Sequence, residues 1–257
     1  MLVLLPPSEG KTAPRRGRPL DLTSLSFPDL ADARGRVLDA LIDLAGSGDA
    51  AEVLGLGASQ GDLVDLDRRL RTAPTARADR VYTGVLYDAL GLADLSPTAR
   101  RRAARCLAVT SSLFGLLRPG DRIPAYRLSG DVTLPGVGPV AGAWRAALDP
   151  VVRRALGRGL LVDLRSSTYA AFWRPPVDLA RNVATVRVLH EAAGRRQVVS
   201  HANKATKGRI VRALLVQDTV PRTPEALADA LGALGWTVEV GEPTARGTRL
   251  DVVVGEV

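Results

Sequence analysis

Along the chain, short unbroken apolar runs alternate with stretches of helical spacing. Leu2–Leu5 has the length of a buried strand, and Pro6-Pro7 stops it. Asp32 to Leu44 carries Val37, Leu38, Leu41, Ile42 and Leu44 at helical spacing and ends at Gly46. Leu63–Leu70 is a second amphipathic stretch. The same reasoning predicts helices over Arg77–Leu90, Pro97–Arg105, Trp144–Leu156 and Pro224–Leu234, and one starting within His201–Arg209 that continues through Ile210, Val211, Leu214 and Leu215. Strands are expected at Leu107–Thr110 and Leu160–Leu164, with closing strands at Trp236–Val240 and Leu250–Val254. Val183–His190 and Gln197–Ser200 read as a hairpin around Ala193-Gly194, and the dense prolines and glycines from Pro119 to Gly142 predict irregular chain.

Helices and strands interleave throughout, which predicts an α/β fold: a mixed central sheet with flanking helices. At 257 residues the chain is expected to form a single domain. Within it, residues 31–72 carry no strand signal and read as a small helical subdomain. Polar loops follow Leu5, Thr110, Leu164 and Ser200. Loops at the carboxyl ends of strands commonly meet at one crevice, so these four are expected to converge.

Composition narrows the chemistry. Hydrophobic residues make up 46% of the chain and charged residues 24%, a globular balance. The net charge of +8 favours an anionic partner over a cationic one. No apolar run approaches the ~20 residues of a membrane span, and Met1–Leu5 lacks the basic flank of a signal peptide. One cysteine, Cys106, excludes an internal disulfide and fits a reducing cytoplasm; its expected role is buried filler at a strand start. Two histidines and that cysteine, none at ligand spacing, argue against a bound metal, and no cofactor motif is present. Aromatic residues are only 4% of the chain, too few for base-stacking platforms.

The basic residues are unevenly drawn: 32 are arginine and only Lys11, Lys204 and Lys207 are lysine. An ammonium is a compact charge with a tunable pKa, whereas guanidinium is planar and always protonated, so the three lysines mark positions where arginine will not serve. Two of them lie in His201–Arg209, which also holds one of two histidines and one of two asparagines. That stretch reads either as a solvated basic helix start or as an anion site at a helix N-terminus. Gly10-Lys11-Thr12 has the end of a phosphate-binding P-loop, but Leu5 stands where the pattern needs glycine, and Pro14 and Pro19 interrupt any following helix. Leu54-Gly55-Leu56-Gly57 has the form of a helix-hairpin-helix turn that could hold a DNA phosphate, or of an ordinary helix connection. Between positions 100 and 130 seven arginines stand against Asp121 alone, either as a solvated face or as an electropositive cleft.

Four stretches carry a family likeness. They are Leu4-Leu5-Pro6-Pro7-Ser8-Glu9-Gly10-Lys11-Thr12; Ser111–Pro119 running on to Ile123–Leu128; Val162–Tyr169, with Thr168 at the place of an acid; and Lys204-Ala205-Thr206-Lys207-Gly208-Arg209. Together they resemble the YaaA peroxide-stress family over nearly the full length. The resemblance implies a cytoplasmic protein of the hydrogen peroxide response that limits free iron and protects DNA. It further implies an unusual α/β fold that binds DNA through a basic cleft and a helix-hairpin-helix, with Gly55 and Gly57 as the hairpin glycines.

Two functions follow as expectations. In the first, the chain binds DNA phosphates through Ser8, Lys11, Gly55, Gly57, Arg118, Arg127, Ser166, Tyr169, Lys204, Lys207 and Arg209, its affinity falling steeply with salt. In the second, it is an enzyme for a small phosphorylated, nucleotide or carboxylated substrate. The same cations would then hold the anion, while Glu9, Tyr126 or Tyr169 moves protons and a lysine such as Lys204 serves as nucleophile.

Overall fold

Leu2–Leu5 (β1) is buried at every position and pairs with a parallel neighbour on each side, which is why it reads as an uninterrupted apolar run. The computed structural model describes residues 1–192, 194–217 and 220–255, apart from the side chains of residues 58 and 200. Ala193, expected in the hairpin turn, lies outside the described residues.

The other strands of the main sheet are β2 (Leu107–Ser111), β3 (Gly115–Leu117), β4 (Leu161–Asp163), β5 (Val183–Ala192), β6 (Arg195–Gln197), β7 (Thr237–Val240) and β8 (Thr248–Val254). Their order is β7-β8-β5-β4-β1-β2-β3, with β6 paired to the end of β5. Five central strands run parallel; β3 and β7 are antiparallel at the two edges, so the sheet is mixed as expected. Val3 aligns with Leu107 on one side and Val162 on the other, so the chain's first strand is an interior strand of its sheet. Strand order reverses at β1: β2 and β3 lie to one side, and the chain then returns to place β4 on the other. A crevice outside the carboxyl ends is the expected product of such a reversal.

The longer helices are α1 (Ala31–Gly46), α2 (Gly61–Arg68), α3 (Val85–Leu90), α4 (Pro97–Cys106), α5 (Val140–Leu156), α6 (Ser200–Val216) and α7 (Pro224–Ala233). The buried residues of α1 belong to the same continuous core as β1, β2 and β4. Arg34, wholly buried in the apolar stripe of α1, ties that helix to the sheet. Its Nε donates to Phe114 O at 3.0 Å and its Nη2 to Leu116 O at 2.8 Å and Ser26 O at 2.7 Å. Burial lowers its pKa to about 10, opposed by Asp121.

Three local expectations are corrected. The helix over Arg77–Leu90 is two short ones, Ala78–Val81 and α3, split at Tyr82-Thr83-Gly84, where Gly84 has φ +99°. The second hairpin strand is Arg195–Gln197 rather than Gln197–Ser200, because Ser200 already starts α6. Cys106 is the last residue of α4 and half-buried, not filler inside a strand.

Gly208 permits the close crossing of α6 over α3. A Cβ there would lie 2.3 Å from Leu86 O and 3.0 Å from Leu90 N, both backbone atoms that cannot swing away. Overpacking should therefore outweigh the ~1 kcal/mol of helix propensity that alanine brings. Gly208→Ala is expected to destabilise by about 1–3 kcal/mol, read as a lowered midpoint in thermal or urea unfolding.

Candidate functional site

The loop after β1 is closed by its own side chains. Ser8 Oγ donates to Gly10 O at 2.5 Å and accepts from Thr83 N–H at 3.1 Å. Lys11 bridges to Tyr82, and Thr12 N–H donates to Val81 O at 2.9 Å. This geometry turns the Lys11 ammonium inward. Its Nζ donates to Ser8 O at 2.9 Å and lies 4.3 Å from the centre of the Tyr126 ring and 5.9 Å from that of Tyr82. Burial is the largest influence on Lys11 and lowers its pKa to about 8, against the pull of Glu9 and Asp67.

Behind Lys11 runs a line of buried hydroxyls. Tyr126 OH is 2.9 Å from both Tyr82 OH and Ser111 Oγ, and Ser111 Oγ accepts from Phe114 N–H at 3.0 Å. Next along β2, Ser112 Oγ donates to Leu128 O, and Trp144 Nε1 donates to Ser112 O at 2.7 Å. Burial pushes the Tyr126, Tyr82 and Tyr169 hydroxyls far above their ordinary range, so they remain protonated near neutrality.

Asp67, in α2, is wholly buried beside this group. Its Oδ1 accepts from Arg127 N–H at 2.8 Å, and its Oδ2 has no partner. Burial raises its pKa to about 7 despite that hydrogen bond and the nearby Lys11 and Arg127 charges. Arg127 in turn donates from Nη1 to Glu9 Oε2 at 3.0 Å.

The loop after β4 completes the wall. Arg165 lies over Asp163 in a buried fork, with Nε–Oδ1 at 2.9 Å and Nη2–Oδ2 at 2.7 Å, and also donates to Tyr169 O and Trp173 O. Lys207 donates to Leu164 O at 3.0 Å, so the second lysine of the helix braces this loop; burial lowers its pKa, with Asp163 opposing. One helical turn earlier, Lys204 is exposed and reaches the open space. That space is a cleft of about 440 Å³, whose walls include Ser8, Glu9, Tyr87, Ser166, Tyr169 and Lys204.

The structure thus brings Ser8, Glu9, Lys11, Tyr126, Arg127, Ser166, Tyr169, Lys204 and Lys207 to the carboxyl edge of the sheet. Four other candidates lie apart from these walls. Arg118 donates to Leu107 O at 2.8 Å, at the amino end of β2, and stacks on Phe27. Arg209 is exposed on α6. Gly55, with φ +63°, and Gly57 connect the four-residue helix Ala50–Val53 to the turn preceding α2. Of the seven arginines between 100 and 130, Arg100, Arg101 and Arg105 are exposed on α4, whose Arg102 reaches Leu215 O at the end of α6 remote from Lys204. Among the described residues, no group of His, Cys, Asp and Glu could hold a metal ion, and no helix is long and apolar enough to cross a membrane.

Sequence reasoning missed Asp67 and Tyr82. Asp67 carried a usable signal: Leu63, Leu66 and Leu70 place it on the apolar stripe of its helix, where a carboxylate must be buried. Tyr82 was hidden because it lies at the break between two short helices that spacing joined.

Comparison with known proteins agrees over the whole chain. A family model described as Peroxide stress protein YaaA matches residues 1–239. A UPF0246 protein of Streptomyces coelicolor is 52% identical over 262 residues, covering 100% of both chains. One from Corynebacterium efficiens is 42% identical over 94% of this chain and 96% of its own, and one from Corynebacterium glutamicum 39% identical over 93% and 95%. On this full-length likeness, the chain belongs to the YaaA family of peroxide stress proteins.

Proposed function

We propose that this protein serves the response to hydrogen peroxide in the cytoplasm as an enzyme acting on a small anionic substrate, phosphorylated or carboxylated and of nucleotide size. One observation carries the reading: loops from β1, β2 and β4 meet at the switch point of the sheet. There a lysine able to lose its proton near neutrality faces a chain of protonated tyrosine and serine hydroxyls. A cleft of 440 Å³ fits a single small molecule, within the ~300–1,000 Å³ of ligand pockets. Lys204 would meet the anion at the mouth, and Tyr169, at the wall, could donate to it. Lys11 and the hydroxyls behind it would transfer protons. Glu9, exposed and paired with Arg127, is better suited to holding the loop than to moving a proton.

DNA binding is the second reading. It is favoured by the exposed Arg100, Arg101 and Arg105 on α4 and by the glycine turn at Gly55–Gly57, neither of which is part of the cleft. Lys204→Arg separates the two. A fork is not equivalent to a point charge in a shaped pocket, whereas a phosphate-backbone contact accepts either. Calorimetry with AMP, pyrophosphate and citrate is expected to show about a tenfold loss of affinity in the variant, ~1.4 kcal/mol, while binding of duplex DNA stays within about twofold. Expression of Lys204→Arg in a strain lacking the gene should then fail to restore peroxide survival. Absence of binding to all three anions, with salt-sensitive duplex binding by the wild type, would overturn the enzyme reading.

A further inference from the structure

Asp67 is a wholly buried carboxylate with one oxygen committed and one orphaned. Its Oδ1 holds the amide of Arg127, and the ring of the preceding Tyr126 carries the Lys11 ammonium on its face at 4.3 Å. Helix α2 and the loop after β1 therefore clasp the Tyr126–Arg127 segment together. We propose that Asp67 is a positioning residue acting through Lys11: when ionised it holds Lys11 as an ammonium, and when protonated it releases that hold.

The neighbouring charges make this a closed set. From the loop after β1 come Lys11 and Glu9; from the Tyr126–Arg127 segment come Arg127, held by Glu9, and the phenol of Tyr126; and Tyr82 adds a second phenol. The other acids of α2 point away: Asp62 is exposed, and so is Asp65, which pairs with Arg68. Asp67 and Lys11 both change charge near neutrality, the first at about 7 and the second at about 8, so their titrations belong to the pair. The pair passes from one positive charge to one negative across this interval. An anion in the cleft, whose wall of Ser8, Glu9 and Gly10 adjoins Lys11, therefore feels less attraction from this pair as pH rises. That last consequence rests on the small-anion reading; the hold of Asp67 on Lys11 does not.

The test uses the scarcity of lysine. Protein labelled with carbon-13 lysine carries only three lysine side chains, so Lys11 can be followed by NMR from pH 6 to 10. Asp67→Asn is the informative variant, because asparagine keeps an oxygen for the Arg127 amide and removes the titration. The Lys11 midpoint is expected to fall by about 1 pH unit in Asp67→Asn. Reciprocally, the Asp67 carboxyl midpoint should rise in Lys11→Met, a measurement that stands even if the asparagine variant folds poorly. A Lys11 midpoint unchanged by Asp67→Asn, or an Asp67 midpoint near 4 in the wild type, overturns the proposal whatever the cleft binds. Sulfate, whose charge is constant over this range, is then titrated at pH 6.5 and 8.5 against the Lys11 signal. Weaker binding at the higher pH supports the proposal; equal binding, with both midpoints moving as stated, upholds Asp67 and counts against the small-anion reading alone.

Discussion

Replacing Asp163 by alanine should destabilise the protein by about 3–5 kcal/mol, more than any other single carboxylate in the fold. The reason is the fork it makes with Arg165: their side chains are 7% and 1% exposed, so removing the acid strands a guanidinium out of water. For a domain of this size the midpoint of thermal unfolding should fall on the order of 10 °C. The pair itself is not the source of stability, since desolvating both charges offsets much of their attraction. Asp163→Leu with Arg165→Met should accordingly recover most of the loss. The pH dependence has a definite sign. Burial alone would raise the Asp163 pKa, but the Arg165 charge and hydrogen bonds hold it below its ordinary value. A carboxyl depressed in the folded state stabilises above its unfolded pKa, and that contribution is lost as pH falls from about 4 through the folded value. Wild-type unfolding midpoints should therefore drop over this acid range, and Asp163→Ala should show a shallower decline there. Equal stability of Asp163→Ala and wild type at pH 7 would refute the account.

The second large effect is expected at Gly115, the first residue of β3. Its φ of +72° is a left-handed conformation, and a Cβ would lie 2.6 Å from the ring of Trp144. The strained backbone costs about 1–2 kcal/mol for a residue with a side chain, and the overpacking about 1–3 kcal/mol more. Trp144 cannot retreat freely, because its indole donates to Ser112 O beside the hydroxyl chain. Gly115→Ala should thus lose about 2–5 kcal/mol in urea unfolding, and it should disturb Ser112 and the wall of the cleft along with the core. A shift of tryptophan fluorescence in the folded variant is the accompanying sign. A variant with wild-type stability would mean that the turn can relax without help from the indole.

How much of this could be read in the chain depends on which physical signal each part emits. Buried parallel strands emit a strong one: Leu2–Leu5, Leu107–Ser111 and Leu161–Asp163, apart from Thr110, Ser111 and Asp163 at their carboxyl ends, are apolar because both of their faces are covered. Their order emits none, since hydrogen-bond partners leave no mark on periodicity, and so the interior place of β1 came only with the structure. Helix limits blur where a glycine breaks an otherwise apolar stripe, as at Gly84. The lysines were legible by rarity, and all three lie at the carboxyl edge, Lys204 on the cleft and Lys11 and Lys207 bonded to loop carbonyls. Arg118 and Asp67 show the converse. An arginine in a basic stretch has no feature telling an anion ligand from a carbonyl brace, and Asp67 is conspicuous only once helix faces are drawn.

The position of β1 also bears on how the chain assembles during translation. Leu4 must find Ala108 on one flank and Asp163 on the other, so β1 awaits residues made about 5–20 s and about 8–30 s later at ribosomal rates of roughly 5–20 residues per second. Over the first of these delays a four-residue apolar segment stands without either neighbour, and loop closure over such separations is slow. Until its neighbours are made, the core of the finished sheet is an exposed apolar segment of the nascent chain.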